Sequence, residues 1–183
     1  MVETARRAMS TWLGTLARGG LLRSAYEEAG VAVAAWVVGE ERLSQLREWM
    51  KRQPRDVVSR EQRGAVEVCI WMAHADRAID PEETHLLRQI VLDAELEDDV
   101  RDELVEAAHA PPPLDGIADR VTHPVLRELL LALSWELATA DGSIATSERE
   151  FHGELARMLD IADERAREIR QEVVERVSAP PER

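Results

Sequence analysis

Residues 140–148 read Ala-Asp-Gly-Ser-Ile-Ala-Thr-Ser-Glu, and residues 75–83 read Ala-Asp-Arg-Ala-Ile-Asp-Pro-Glu-Glu, so one acidic element occurs twice, 65 positions apart. The same offset continues past both copies and pairs residues of similar character. These pairs are Leu86 with Phe151, Ile90 with Leu155, Leu96 with Ile161, Asp98 with Asp163, and Leu104 with Ile169. Self-similarity at a fixed period is typical of a repeated structural unit. We therefore predict a duplicated helix-turn-helix unit in which each acidic element forms the turn.

The rest of the sequence is also helical in character. Apolar residues recur at spacings of three, four and seven, the period of an amphipathic helix, and no alternating pattern of useful length predicts a strand. The predicted fold is all-α: a compact helical bundle of two duplicated helix-turn-helix units, preceded by two or three N-terminal helices. The predicted helices cover residues 2–18, 21–38, 40–52, 59–76, 81–93, 98–109, 124–140, 147–159 and 163–178.

Proline and capping residues set the predicted boundaries. A helix is expected to end at Gln53 because the residue before a proline is disfavoured in the helical region. We place a linker at residues 54–58 and expect Ser59 to cap the next helix, in a capping box with Gln62. The predicted organisation is an N-terminal helical arm over residues 1–56, an all-helical domain over 57–178 and a flexible tail over 179–183.

The net charge of −13 is unevenly distributed along the chain. Residues 1–60 carry +3, whereas residues 61–183 carry −16. Proteins bind nucleic acid through cationic surfaces, so the acidic part of the chain argues against a nucleic-acid partner. An acidic surface instead favours a divalent cation or a basic protein.

Cysteine content and hydropathy indicate the compartment. Cys69 is the only cysteine, which excludes an intramolecular disulfide and is typical of a reducing environment. On its apolar helical face, Cys69 is expected to be a buried, unreactive thiol. The longest apolar run, residues 31–38, is shorter than the roughly 20 residues of a membrane span, and no secretory signal is recognisable. We expect a cytoplasmic protein.

The first acidic element has two interpretations. As a helix start, Asp80 is the N-cap, Pro81 occupies the first helical position and Glu83 completes a capping box. Such a cap contributes about 1 kcal/mol, which is sufficient reason for these residues without any function. The second element weakens this interpretation, because Ala145 stands where Asp80 stands in the first.

Carboxylates at the ends of the preceding helices favour an ion. Asp76 and Asp141 each lie at a helix C-terminus, where a negative charge is unfavourable unless it has a partner: an arginine, a backbone N–H or a cation. Neither element supplies the early ligands of a calcium-binding EF-hand loop. The two elements together can form a composite site for a divalent cation, Ca²⁺, Mg²⁺ or Mn²⁺ more than Zn²⁺. The candidate metal ligands are Asp76, Asp80, Glu83, Asp141 and Glu148.

Other chemistry-bearing residues give weaker patterns. His74 and His152 flank the two acidic elements, which makes a site with mixed nitrogen and oxygen ligands conceivable, but no two-histidine helical signature accompanies them. No phosphate-binding loop, nucleophile elbow or Ser/His/Asp arrangement is present in the sequence. We therefore name no catalytic residue and expect a protein without enzymatic activity.

Three tryptophans of the N-terminal arm are candidate partner-binding residues: Trp12, Trp36 and Trp49. They can pack against the rest of the protein, or they can contact a protein partner or a membrane surface, since aromatic anchors dominate such interfaces. The apolar excess of residues 21–50 also makes a homodimer plausible.

The acidic elements carry a family resemblance. One pattern occurs twice over about residues 60–175. It is a helix that ends in Ala-Asp-Gly-x-Ile, then a polar stretch with Glu, and then a helix that ends in a sequence similar to Leu-Gly-Leu. This pattern resembles the TerB (tellurite-resistance) domain. The resemblance implies an all-helical, non-enzymatic accessory protein of a bacterial stress system, able to bind metal and to act near membrane-associated complexes. By position, the acidic residues of the family fall on the five candidate ligands named above. Arg77, where the family has Gly, and Ala145 depart from its pattern.

Overall fold

The computed structural model describes residues 33–75, 91, 96–107, 113–140 and 146–178. These residues form eight α-helices and no strand, so the predicted all-α class is confirmed. None of the described helices combines the length and apolar character needed to cross a bilayer. The helices are Val33–Val38 (α1), Glu40–Arg52 (α2), Arg55–Ala75 (α3), Asp98–Ala107 (α4), Ile117–Arg120 (α5), Pro124–Ala140 (α6), Thr146–Met158 (α7) and Asp163–Ser178 (α8).

Helix α6 forms the centre of the bundle. It contacts α1, α2, α3, α7 and α8. A helix that is apolar on all sides is stable only when neighbours cover all of its faces. The described residues of α6 fit this rule, because nearly all of them are buried: Val125, Leu126, Leu129, Leu130, Leu131, Ala132, Leu133 and Trp135 among the apolar ones.

The predicted bounds of several helices are correct. Helices α2, α6 and α8 begin and end at the predicted residues, and α1 ends at Val38, as predicted for the helix of residues 21–38. Gly39 has a φ of 89°, a conformation that an L side chain rarely adopts. The predicted helix of residues 2–18 lies outside the described residues.

The predicted linker at residues 54–58 and the capping box of Ser59 are wrong. Helix α3 begins at Arg55, so Ser59 lies inside it and Gln62 is buried within it. The carbonyl oxygen of Pro54 accepts hydrogen bonds from the N–H groups of Val57 and Val58, both at 3.1 Å. The proline that follows α2 therefore directly precedes α3, and its carbonyl group accepts the first hydrogen bonds of that helix.

The bounds of the described helices agree with the 65-residue offset. Helix α3 ends at Ala75 and α6 at Ala140, while α4 begins at Asp98 and α8 at Asp163. The acidic elements themselves, apart from the start of α7, lie outside the described residues. The duplication of a helix-turn-helix unit therefore stays a prediction that these bounds support.

The described part of the N-terminal arm packs on the rest of the protein. Helices α1 and α2 both contact α6, and α1 also contacts α8. The Glu136 carboxylate on α6 accepts hydrogen bonds from the N–H groups of Val33 and Ala34 at 3.1 and 2.7 Å. A bidentate ion pair joins Arg42 on α2 to Glu128 on α6, with both distances 2.7 Å. Residues 33–52 are therefore anchored by buried and part-buried polar contacts as well as by apolar packing.

Candidate functional site

The candidate site is defined by the helix ends that border the acidic elements. The first element directly follows the end of α3, and the second lies between the end of α6 and the first turn of α7. Four of the five predicted ligands lie outside the described residues: Asp76, Asp80, Glu83 and Asp141. Glu148 lies in the first turn of α7, where the structure describes the backbone alone.

An aromatic cluster, Trp71, Trp135, Phe151 and His152, joins these helix ends. Trp71 on α3 stacks on Phe151 of α7, with ring centroids 4.1 Å apart and planes inclined by 13°. Trp135 on α6 lies against His152 of α7, also at 4.1 Å. The cluster therefore fixes α7 against both α3 and α6.

Three helix ends lie a short distance along their helices from the cluster. A helix rises about 1.5 Å per residue, so the last residue of α3, Ala75, lies about 6 Å beyond Trp71 along the helix axis. By the same measure Ala140 lies about 7.5 Å beyond Trp135, and Thr146 lies about 7.5 Å before Phe151. All three ends thus lie within about two helical turns of one cluster.

The electrostatics of these ends favour a cation. The last carbonyl groups of an α-helix have no partner within the helix, and the C-terminus carries a partial negative charge. Two such termini, those of α3 and α6, lie near the cluster, and each is followed in the sequence by an aspartate. A cation held between the acidic elements would offset both effects.

His152 has one ring nitrogen engaged within the core. Its Nδ1 lies 3.1 Å from the hydroxyl oxygen of Ser134, and that hydroxyl donates to the carbonyl oxygen of Leu131 at 2.7 Å. Burial, with a contribution from Arg170, lowers the pKa of His152 to about 4, so the imidazole is neutral near pH 7.

The described residues do not by themselves form a metal site. No group of three or more His, Cys, Asp or Glu side chains in the described ranges is arranged to hold an ion. His74 lies in the last turn of α3, but its side chain is not described.

The candidate partner-binding tryptophans have different surroundings. Trp12 lies outside the described residues. Trp36 on α1 is 49% exposed and is the one large exposed hydrophobic residue of the described chain. The guanidinium group of Arg176 lies 4.2 Å from the centre of its ring. Trp49 on α2 is half-buried, packs against the core and lies 4.7 Å from the ring of His123.

Sequence reasoning missed the buried glutamates of the bundle: Glu61, Glu67, Glu128 and Glu136. Each of them has a partner remote in sequence; for example, Glu61 on α3 accepts hydrogen bonds from the N–H and hydroxyl groups of Thr122. The available signal was position, because Glu128 and Glu136 fall among the leucines of α6. The prediction for Cys69 is confirmed: the thiol is buried, and burial raises its pKa to about 12.

Replacing Glu136 by glutamine is expected to change how stability depends on pH. Burial raises the pKa of Glu136 above its ordinary value of 4.5, although the N–H groups of Ala34 and Val33 lower it in part. A raised pKa in the folded state makes the contribution of Glu136 to stability greatest at low pH and reduces that contribution as pH rises through the raised pKa. The stability of the wild type minus that of Glu136→Gln should therefore fall between about pH 4.5 and neutrality. Urea unfolding at several pH values measures this difference, and a rise with pH would contradict the assignment.

One comparison with known proteins gives a match to this chain. A family model described as Tellurite resistance protein TerB matches residues 62–171, from within α3 to within α8. Comparison with curated proteins and with solved structures finds no match to the chain. The matched range includes both acidic elements and all four residues of the aromatic cluster. Because the match covers more than half of the chain, the protein belongs to the TerB family.

Proposed function

We propose that this TerB protein is a non-enzymatic, cytoplasmic accessory protein of a bacterial tellurite-resistance-type stress system, which binds one divalent cation between its two acidic elements. The proposed ligands are Asp76, Asp80, Glu83, Asp141 and Glu148. The observation that carries the proposal is the joining of α3, α6 and α7 by the aromatic cluster, near the ends that border both elements.

Helix geometry supports a shared ion more than separate caps. A capping role explains Asp80 and Glu83, but it gives no reason for an aspartate directly after the C-terminus of α3 and another after that of α6. Hard divalent cations take six to eight oxygen ligands, including carboxylates and backbone carbonyl groups. Neither element alone supplies that number of carboxylates, whereas two elements near one cluster can supply them jointly.

Thermal melting tests the proposal. After chelation, addition of Ca²⁺, Mg²⁺, Mn²⁺ or Zn²⁺ singly is expected to give a saturable rise in the melting temperature with at least one ion, because a ligand stabilises the state that it binds. Asp141→Asn should abolish the rise. Glu154→Gln is the matched control, since it removes one negative charge from an exposed position of α7. An equal ion response in Asp141→Asn and Glu154→Gln would show that the stabilisation does not come from the acidic element.

Trp36 favours a second function, that of an interaction adaptor in which the acidic elements act only as helix caps. Its exposed indole, stacked against Arg176, offers the aromatic and arginine pair that is enriched in protein interfaces. The occupant would be a protein partner, a second copy of the chain or a membrane-associated complex. In this case Trp36→Ala would abolish partner binding and leave the melting temperature unchanged, whereas turn variants would lose only about 1 kcal/mol of stability each.

A further inference from the structure

We propose that α1 is an exchangeable element. It fills a groove between α6 and α8 of its own chain, and after rotation at Gly39 it fills the same groove of a second copy, so that two chains form a domain-swapped homodimer. The interaction surface is therefore the groove, and its occupant is the α1 helix of another chain. This inference is independent of the proposed cation.

The groove between α6 and α8 accommodates the apolar face of one short helix. Helix α1 contacts both α6 and α8, and these two helices also contact each other. Ala34, Val37 and Val38 on α1 are buried in this arrangement. Removal of apolar surface from water is favourable, so the groove requires a helix of this kind but not one from a particular chain.

Polar and aromatic contacts fix the position of α1 in the groove. The Glu136 carboxylate on α6 accepts hydrogen bonds from the N–H groups of Val33 and Ala34 at 3.1 and 2.7 Å. On α8, the Arg176 guanidinium group lies 4.2 Å from the centre of the Trp36 ring. The α1 helix of a second copy carries the same groups and can therefore make the same contacts.

A single residue, Gly39, separates α1 from α2. Its N–H donates to the carbonyl oxygen of Ala35 at 3.0 Å, and its carbonyl oxygen accepts from the N–H of Leu43, also at 3.0 Å. Both bonds span four residues, as they do in a continuous helix. The break is confined to the torsion angles of Gly39, with φ 89° and ψ 139°. Rotation of this residue into the helical region joins α1 and α2 into one helix from Val33 to Arg52 and carries α1 out of its own groove.

The joined helix satisfies backbone groups that the break leaves without partners. The first N–H groups of a helix have no carbonyl partner within it, and the N-cap residue of α2, Gly39, has no side chain to cap them. With Gly39 helical, the carbonyl groups of α1 accept these hydrogen bonds. A helix of six residues is too short to be stable alone in water, whereas α1 joined to α2 continues an existing helix.

Helix α2 is held in place, so the motion is confined to Gly39. Its buried apolar residues are Leu43, Leu46 and Met50. Arg42 also forms the bidentate ion pair with Glu128 on α6, with both distances 2.7 Å. Rotation at Gly39 therefore displaces α1 from the bundle and leaves α2 where it is.

Exchange conserves the contacts of α1. The domain-swapped dimer and the monomer differ in the conformation of Gly39, in any new contacts between the chains and in the freedom lost on association. Domain swapping is a low-cost route to dimers for this reason, and short hinges favour it. The conformation of Gly39 thus controls the balance between the two states.

Gly39→Ala in the full chain tests the inference. A Cβ at position 39 would have no atom within 4 Å, so the substitution meets no steric obstacle. Alanine disfavours the positive φ of the monomer and favours a helix. The dissociation constant of the dimer, measured by sedimentation velocity after refolding from urea, is expected to fall by at least about tenfold. Gly153→Ala is the matched control: its Cβ also has open space, but it lies inside α7 and should leave the constant unchanged.

Photo-crosslinking distinguishes exchange from side-by-side association. Chains with p-benzoylphenylalanine in place of Trp36 are prepared in ¹⁴N and ¹⁵N forms, refolded together and irradiated, and the cross-linked peptides are identified by mass spectrometry. In the exchanged dimer, position 36 of one chain reaches α8 of the other near Arg176, which gives peptides with one ¹⁴N and one ¹⁵N half. The monomer gives only cross-links within one isotope.

Dimers of Gly39→Ala that give mixed-isotope cross-links to α8 are the expected result. A Gly39→Ala chain that stays monomeric, or whose dimers give only same-isotope cross-links to α8, would overturn the inference. Equal dimerisation of Gly39→Ala and Gly153→Ala would overturn it as well. If Gly39→Ala does not fold, the chain with Gly39 retained decides: its mixed-isotope product should increase with protein concentration, and absence of that product would overturn the inference.

Discussion

Replacing Leu130 by alanine is expected to lower the free energy of unfolding by about 2–5 kcal/mol, the range for a leucine truncated in a packed core. Leu130 has no exposed surface and lies in the middle of α6, which contacts five other helices. The cavity would open where these neighbours converge, so the surrounding residues can fill it only in part. Urea unfolding followed by circular dichroism at pH 7 gives the change.

Leu130→Met is the matched control for this substitution. It conserves side-chain volume and should lower the free energy of unfolding by less than about 1.5 kcal/mol. Equal losses in the two variants would mean that Leu130 acts through its shape rather than through the volume it fills. A loss below about 1 kcal/mol for alanine would contradict a central position of α6 in the bundle.

Replacing Glu128 by alanine is expected to lower the free energy of unfolding by about 2–4 kcal/mol, because it leaves two guanidinium groups without their carboxylate. Arg42 on α2 donates two hydrogen bonds to Glu128, and Arg165 on α8 donates a third at 2.9 Å. Burial raises the pKa of Glu128, but the two arginines outweigh it and hold the pKa below its ordinary value. The expected loss is smaller than for a fully buried pair because the Arg42 and Arg165 side chains are 37% and 28% exposed.

Glu168→Ala is the control for Glu128→Ala. Glu168 also pairs with Arg165, at 3.0 Å, but its side chain is 53% exposed. An exposed pair of this kind contributes less than about 1 kcal/mol. Urea unfolding at pH 7 compares the two variants. Losses of equal size would show that the Glu128 contacts do not hold α2 and α8 against α6.

The sequence was sufficient to predict the elements that local patterns specify. Helices α2, α6 and α8 follow from apolar periodicity bounded by Gly39, Pro54 and Pro124, since these residues act on their immediate neighbours. Ser59 misled the prediction because a good N-cap residue competed with Pro54, whose carbonyl group had already started the helix. Capping rules alone could not decide whether the helix begins after Pro54 or after Ser59.

Contacts between remote residues could not be predicted in this way. Glu128 is 86 positions from Arg42, and the Ser134–His152 hydrogen bond joins two helices across the core. For the candidate site, the sequence supplied the acidic residues and their places at helix ends. It did not supply the stack of Trp71 on Phe151, which joins α3 to α7 near the first acidic element. The sequence shows which residue types are present at each position, whereas the approach of residues that are distant in sequence depends on how the helices pack.

Calorimetric titration of the chelated protein tests the central claim most directly, because stoichiometry distinguishes a shared site from two separate ones. The claim predicts one divalent ion per chain, lost in Asp76→Asn and also in Asp141→Asn, although these residues lie 65 positions apart. Two ions per chain, each lost in one variant only, would contradict a composite site. No binding of any of the four ions would assign the acidic elements to helix capping.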